Sequence, residues 1–284
     1  MADQGDYDRV RRPGIRIPPR LLIAGFIALI TVVGYFANSS KNTLTGRTQH
    51  IAITPEQEVA LGLQSAPEMA RQFGGLSADR QATGRVQKIG SALVRSLPAE
   101  ATAYPFEYHL LADPKTVNAF ALPGGQIFIT EALYSRLESD GQLAGVLGHE
   151  TGHVLARHSA AQMAKSQLTQ GLAQAVGVAA SDSAQGAQNA AQIAQAVGGF
   201  INLKYGRDDE IEADLLGLRF MQAAGYDPRS MVRVMEILQE ASGGSGGGKP
   251  EFMSTHPDPG HRIERIKAWI QETFPGGVPS GLAK

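Results

Sequence analysis

The chain opens its apolar pattern with an unbroken run, Leu21 to Ala37, that carries no charge and has no polar face. Seventeen residues rise about 26 Å as a helix, near the lower limit for crossing a bilayer core. Asn38, Ser39 and Ser40 extend the uncharged stretch, so a transmembrane anchor is expected over 21–40 and a polar linker over 41–53. Helical spacing then takes over. Thr54-Pro55-Glu56-Gln57 has the form of a helix start with a capping box, and that helix is expected to end by Pro67 or shortly after. Val86, Ile89, Leu93 and Leu97 predict a second helix over 77–97, stopped by Pro98.

The period changes to two at Tyr104–Leu111, where Phe106, Tyr108 and Leu110 alternate with Glu107 and His109, which predicts a strand with one buried face. Residues 118–122 and 126–130 read as two extended segments about the turn Pro123-Gly124-Gly125. Beyond them Leu143, Val146, Leu147, Val154 and Leu155 mark the packed side of a helix that starts near Ser139 and is expected to run past His158. From 166 to 200 the chain is rich in Ala, Gln and Gly and too polar for a second span, which predicts one or two mobile helices or a spacer. A helix from Tyr205, packing through Ile211, Leu215 and Leu218, ends at Gly225. The last helix follows Asp258-Pro259, packs through Ile263, Ile266 and Trp269, and leaves 276–284 as a tail.

Charge alters this picture at the N-terminus. Arg9, Arg11, Arg12, Arg16 and Arg20 precede the apolar run and none follows it immediately, which places the N-terminus in the cytoplasm and the remainder on the far side. A cleaved signal peptide is the competing reading, but the apolar core is long and Tyr35-Phe36-Ala37 is a poor cleavage site. Across all 284 residues the net charge is -1, which gives no electrostatic argument for nucleic acid. There is no cysteine, so any metal must be held by His, Asp or Glu, with seven histidines available.

The candidate chemistry lies in Gly148-His149-Glu150-Thr151-Gly152-His153. Histidines four apart on a helix are turned by only about 40°, so both imidazoles can reach one ion, and Glu150 lies near enough to work on a bound water. Such a short motif arises by chance in roughly one in a hundred chains of this size, so the case depends on completing it. His158 is not the third ligand. A related class of zinc protease would place Gly at 156 and His at 159, where this chain has Ala156 and Ser159. On a continuous helix His158 would also face about 140° from His153. An acidic residue early in the next helix, among Asp209, Glu210 and Glu212, can supply a third ligand. Glu210 and Asp214 share a face, so Asp214 can orient a ligand histidine, while Glu212 points the opposite way. Residues Asn118 and Gln126, Ile127, Phe128, Ile129 and Thr130 are a candidate edge onto which a peptide adds as a strand, or else a plain hairpin. His109 has no assigned role.

Four stretches in order, Asn118 to Thr130, Gly148 to His153, Glu210 to Asp214 as E-x-x-A-D, and His256-Pro257 with Arg262-Ile263, resemble the M-forty-eight family of zinc metallopeptidases, especially its singly anchored bacterial branch. The resemblance implies one zinc ion per chain held by His149, His153 and Glu210, with Asp214 supporting the site. It also implies that His256 and Arg262 approach the metal or the developing oxyanion. The fold it implies is α+β, mainly helical: a zincin-like (gluzincin) domain over 54–275 with a small sheet beside the active-site helix, plus the N-terminal transmembrane helix. The function it implies is a metalloendopeptidase with Glu150 as general base, anchored in a bacterial inner membrane and facing the periplasm. Its partners would be unfolded or membrane-associated protein substrates and the membrane, with oligomers allowed and no nucleic acid. The alternatives are an envelope chaperone or assembly factor with latent protease activity, and a zinc-stabilised structural module, in which Glu150 would have no reason to be acidic.

Overall fold

The computed structural model describes residues 17–97, 104–180, 205–243, 250–257 and 259–284. The basic tail before 17, the second half of the Ala/Gln-rich stretch, the glycine-rich loop and Asp258 lie outside them. The described residues are mainly helical with two small sheets. Helices are α1 (Pro19–Ala37), α2 (Pro55–Gln72), α3 (Arg80–Arg95), α4 (Glu131–Tyr134), α5 (Asp140–Leu155), α6 (His158–Ala180), α7 (Arg207–Ala223), α8 (Arg229–Gly243), α9 (Glu251–Thr255) and α10 (Pro259–Thr273). Strands are β1 (Ser39–Lys41), β2 (Thr48–His50), β3 (Glu107–Leu111), β4 (Ala119–Ala121) and β5 (Gln126–Thr130).

Helix α1 is the one described helix long and apolar enough to cross a membrane. Its Phe26, Leu29, Val33 and Phe36 are exposed, and one side lies along α6. The expected linker is instead a hairpin, with β1 antiparallel to β2. Its turn is set by Asn42 Oδ1, which accepts from the backbone N–H groups of Leu44 and Thr45. The hairpin survives with three-residue strands because it docks on α5. Asn42 Nδ2 donates to Leu155 O at 2.9 Å and Gln49 Nε2 to Ala156 O at 2.6 Å, satisfying carbonyls at a helix end.

The Thr54 capping box forms as the pattern predicts. Helix α2 nevertheless continues through Pro67 to Gln72, further than expected, although an internal proline costs about 3 kcal/mol. Met69 and Phe73 beyond it are buried against Leu111, Leu122 and Phe128, and the burial of two such side chains offsets that cost. Helix α3 is capped by Asp79 and buries Val86, Ile89 and Leu93.

The main sheet runs in the order β3-β5-β4, with β3 parallel and β4 antiparallel to β5. Strand β5 is therefore central and buried at all five residues. This corrects the expected substrate edge: Gln126, Ile127, Phe128, Ile129 and Thr130 have neighbours on both sides and offer no free backbone. Asn118, just before β4, is also buried.

Helix α5 lies at the centre of the core. Every residue from Gly141 to Leu155 is buried, between α3 and the sheet on one side and α7 and α8 on the other. It stops at Leu155 and does not run past His158. Arg157 takes a left-handed φ of 56°, and α6 begins at the next residue. Helix α7 buries Ala213, Leu216, Gly217, Leu218, Phe220 and Met221, while Ile211 and Leu215 are only half-buried.

Helices α5 and α7 cross through small residues four apart, Gly148 and Gly152 on one, Ala213 and Gly217 on the other. A Cβ at Gly152 would stand 2.8 Å from Ala213 O, and one at Gly217 would stand 2.9 Å from His149 N. The backbones touch where side chains normally separate helices by 8–10 Å. Gly217→Val is expected to cost about 1–3 kcal/mol in urea unfolding, with a matching loss of metal uptake, because the helices must move apart.

Candidate metal centre

The crossing brings the motif on α5 against the acidic face of α7. His149, Glu150, His153, Glu210, Asp214, His256 and Arg262 are all at most 2% exposed. His149 Nε2 lies 3.0 Å from His153 Nε2 and 3.6 Å from Glu210 Oε2, and His153 Nε2 lies 3.4 Å from Glu210 Oε1. His256, where α9 ends, places Nδ1 3.2 Å from His149 Nε2 and 2.9 Å from Glu210 Oε1. One ligand atom from each of these four residues lies within 4.8 Å of the others.

The chemistry of this donor set fits a divalent cation. Ligand atoms on a tetrahedron of metal–nitrogen bonds about 2.0–2.1 Å long stand roughly 3.3 Å apart, and the separations bracket that value. Asp214 Oδ1 lies 2.8 Å from His149 Nδ1, where it accepts the ring proton and leaves Nε2 a bare lone pair directed into the cluster. Glu150 Oε1 and Glu210 Oε2 are buried without a hydrogen-bond partner. Three carboxylates, Glu150, Glu210 and Asp214, face the single guanidinium of Arg262, two negative charges in excess when all are ionised. Left to itself such a set would be costly to bury.

Electrostatics sets the two glutamates apart. Burial pushes the Glu150 carboxyl up despite His256 and His149, while Glu210 is held well below the usual range because His256 and Arg262 outweigh its burial. Burial drives His153 well below an ordinary imidazole, keeping it neutral as a ligand must be. Burial also opposes charge on His256, but Glu210 and Glu150 raise it.

Residues 80–270 match Peptidase family M48. The chain belongs to this family. It is 36% identical over 168 residues to the mitochondrial metalloendopeptidase OMA1 of Schizosaccharomyces pombe, which covers 59% of this chain and 47% of that protein. It is 30% identical over 269 residues to the beta-barrel assembly-enhancing protease of Escherichia coli (strain K12), covering 91% of this chain and 54% of that one. The chain thus spans about half the length of each. Metalloprotease YcaL of Escherichia coli is 28% identical over 183 residues, 64% of this chain and 68% of that relative.

In this M48 chain, Arg262 sits behind the cluster. Nε and Nη2 each donate to Asp214 at 2.7 Å, and Nη1 pairs with Glu210 Oε2 at 2.7 Å, too far off axis to count as a hydrogen bond. Its guanidinium thus lies against two carboxylates that flank His149 and His153.

Three residues near the cluster carry no role in the sequence reading. Tyr205 stacks on His153 with centroids 4.1 Å apart, and its hydroxyl bonds Ser159. Phe252 stacks on His256 at 4.3 Å. His158 touches His153, because the break at Arg157 voids the angle that a continuous helix would impose. The aromatic pair could have been sought from chain position, since each lies five or fewer residues before a cluster member, whereas nothing glycine-like marks the break.

Arg262→Ala is expected to destabilise the metal-free protein by about 3–5 kcal/mol in urea unfolding with chelator present, since two buried carboxylates lose their counter-charge. Arg262→Lys should recover only part of this, because one ammonium cannot span both groups as the planar fork does.

Proposed function

We propose that this chain is a zinc-dependent metalloendopeptidase of zincin-like (gluzincin) fold, with one zinc per chain held by His149, His153 and Glu210. The observation that carries this reading is the Glu150 carboxylate, 1% exposed, its Oε1 without a hydrogen-bond partner and its pKa raised by burial beside the four-residue cluster. A structural metal site has no use for such a group, whereas a general base needs it. Bound zinc supplies Lewis acidity to the scissile carbonyl and to water. Glu150 takes the proton of the attacking water and passes it to the leaving amine. Asp214 holds His149 in the tautomer that offers Nε2, and Arg262 holds Asp214 and Glu210, a positioning role in place of the expected oxyanion contact.

An extended substrate would lie along β4, the outer strand of the three-stranded sheet, whose Ala119–Ala121 packs beside α5. The names of the relatives, one an assembly-enhancing protease and one a mitochondrial metalloendopeptidase, favour misfolded or envelope proteins as substrates. The exposed α1 and the arginines before it favour a single anchor with the cytoplasm on its N-terminal side and the domain over 54–275 in the periplasm.

One observation favours latency, and with it the chaperone or assembly role as a second reading. His256 occupies the fourth position of the cluster, and α9 carrying it is hydrogen-bonded through Phe252 N to Val117 O beside β4. The same short segment therefore covers the metal position and the start of the outer strand.

Glu150→Gln should bind zinc as the wild type does, measured as metal content, and lose proteolysis of an unfolded protein by about 100-fold or more. Cleavage at the wild-type rate would remove Glu150 from the reaction. His256→Ala should raise basal cleavage several-fold at saturating zinc, whereas a fall would make His256 a participant in the chemistry and end the latency reading.

A further inference from the structure

His149 has a carboxylate on its Nδ1, but the Nδ1 of His153 meets His158 instead, and the atoms around that ring show how the need is met. Helix α5 ends at Leu155, and Arg157 adopts a φ of 56° that side-chain-bearing residues rarely take. That conformation is held from outside: Arg157 Nε donates to Glu58 Oε2 at 2.9 Å and Nη2 to Ile53 O at 2.7 Å, while the Tyr104 hydroxyl donates to the same buried carboxylate at 2.6 Å. The turn folds the first residue of α6 back onto the motif. His158 Nδ1 lies 2.9 Å from His153 Nδ1, and His158 Nε2 lies 2.9 Å from Glu212 Oε2. Glu212 and its neighbour Asp209 are in turn paired with Arg47 at 3.3 and 2.8 Å.

Two proton arrangements satisfy the contact between the two rings. If His158 Nδ1 carried the proton, His153 would accept it and bear its own proton on Nε2, aimed at His149 Nε2 and useless for ligation. If His158 is protonated on Nε2, its Nδ1 accepts the His153 Nδ1 proton and frees His153 Nε2 as a lone pair. Glu212 decides between them, because a carboxylate at His158 Nε2 requires a donor there. We propose that His158 and Glu212 are positioning residues that set the tautomer and ring plane of His153 through this relay, as Asp214 does directly for His149. The strained Arg157 and its buried partner Glu58 are what bring His158 into place. The inference rests on the zinc-site reading above.

The test is zinc affinity of the full chain, by competition with a chromophoric chelator, in two paired substitutions. His158→Leu should bind zinc about 10–100-fold more weakly than the wild type. His158→Asn keeps an oxygen able to accept the His153 proton and should recover most of that loss. Glu212→Leu should weaken binding several-fold, and Glu212→Gln, which still accepts from His158, should restore it. A role in packing alone predicts the same affinity for Leu and Asn at 158, and that result overturns the proposal, as does a His158→Leu protein within about threefold of the wild type. Should His158→Leu fail to fold, the Glu212 pair decides by the same comparison, since Glu212 is partly exposed. A wild-type chain that takes up no zinc would sink both this inference and the peptidase reading. A wild-type chain that binds zinc and depends on Glu150, beside a flat His158 and Glu212 series, would sink this inference alone.

Discussion

The structure depends on one close contact, the passage of α5 across α7 with nothing larger than a methyl group at Gly148, Gly152, Ala213 and Gly217. Both candidate ligand histidines, and the carboxylate that supports one of them, are immediate chain neighbours of those small residues. His149 follows Gly148, His153 follows Gly152, and Asp214 follows Ala213. A helix rotates about 100° per residue, so when the small residue faces the partner helix its neighbour is directed to the flank of the contact. Two such flanks, one from each helix, enclose the cluster. The glycines of the motif are thus as necessary to the geometry as its histidines, although they do no chemistry.

Burying so many polar groups in one place is tolerable because most of them face a counterpart of opposite charge or hydrogen-bonding character. Arg262 answers Asp214 and Glu210, Asp214 answers His149, and Glu212 through His158 answers His153. Glu150 Oε1 stands outside this pairing. It belongs to the residue whose job, in the proposed mechanism, is to exchange protons with something that comes and goes, so a fixed partner there would be an obstacle.

Local signals in the sequence were readable wherever the cause was local. Thr54 and Gln57 announced a capping box, Ser139 capped where the helix was expected to start, and the four-residue spacings of His149 with His153 and of Glu210 with Asp214 put each pair on one face. What escaped was set by distant partners. Strand β5 looked like an edge because β3, which pairs with it in parallel, lies some fifteen residues upstream. Residues 41–53 looked like a linker because what Asn42 and Gln49 cap is the far end of α5, more than a hundred positions away. The α5 break was invisible because Arg157, not a glycine, takes the left-handed turn, held by Glu58 from a different helix. Glu212 does point away from Glu210, as its spacing requires, yet that direction leads to His158.

The hairpin of β1 and β2 has a mechanical meaning. It follows α1 after a single residue and grips the last turn of α5 by Asn42 and Gln49, immediately before Arg157 and His158. Where α1 crosses a bilayer, the domain is therefore not a float on a loose tether. It would be clamped to that helix through the hairpin at the end of α5 and through the packing of α1 along α6, which together would set the height and tilt of the cluster above the lipid. A substrate strand would have to reach the site within that fixed stand-off, and lengthening the chain elsewhere would not change it.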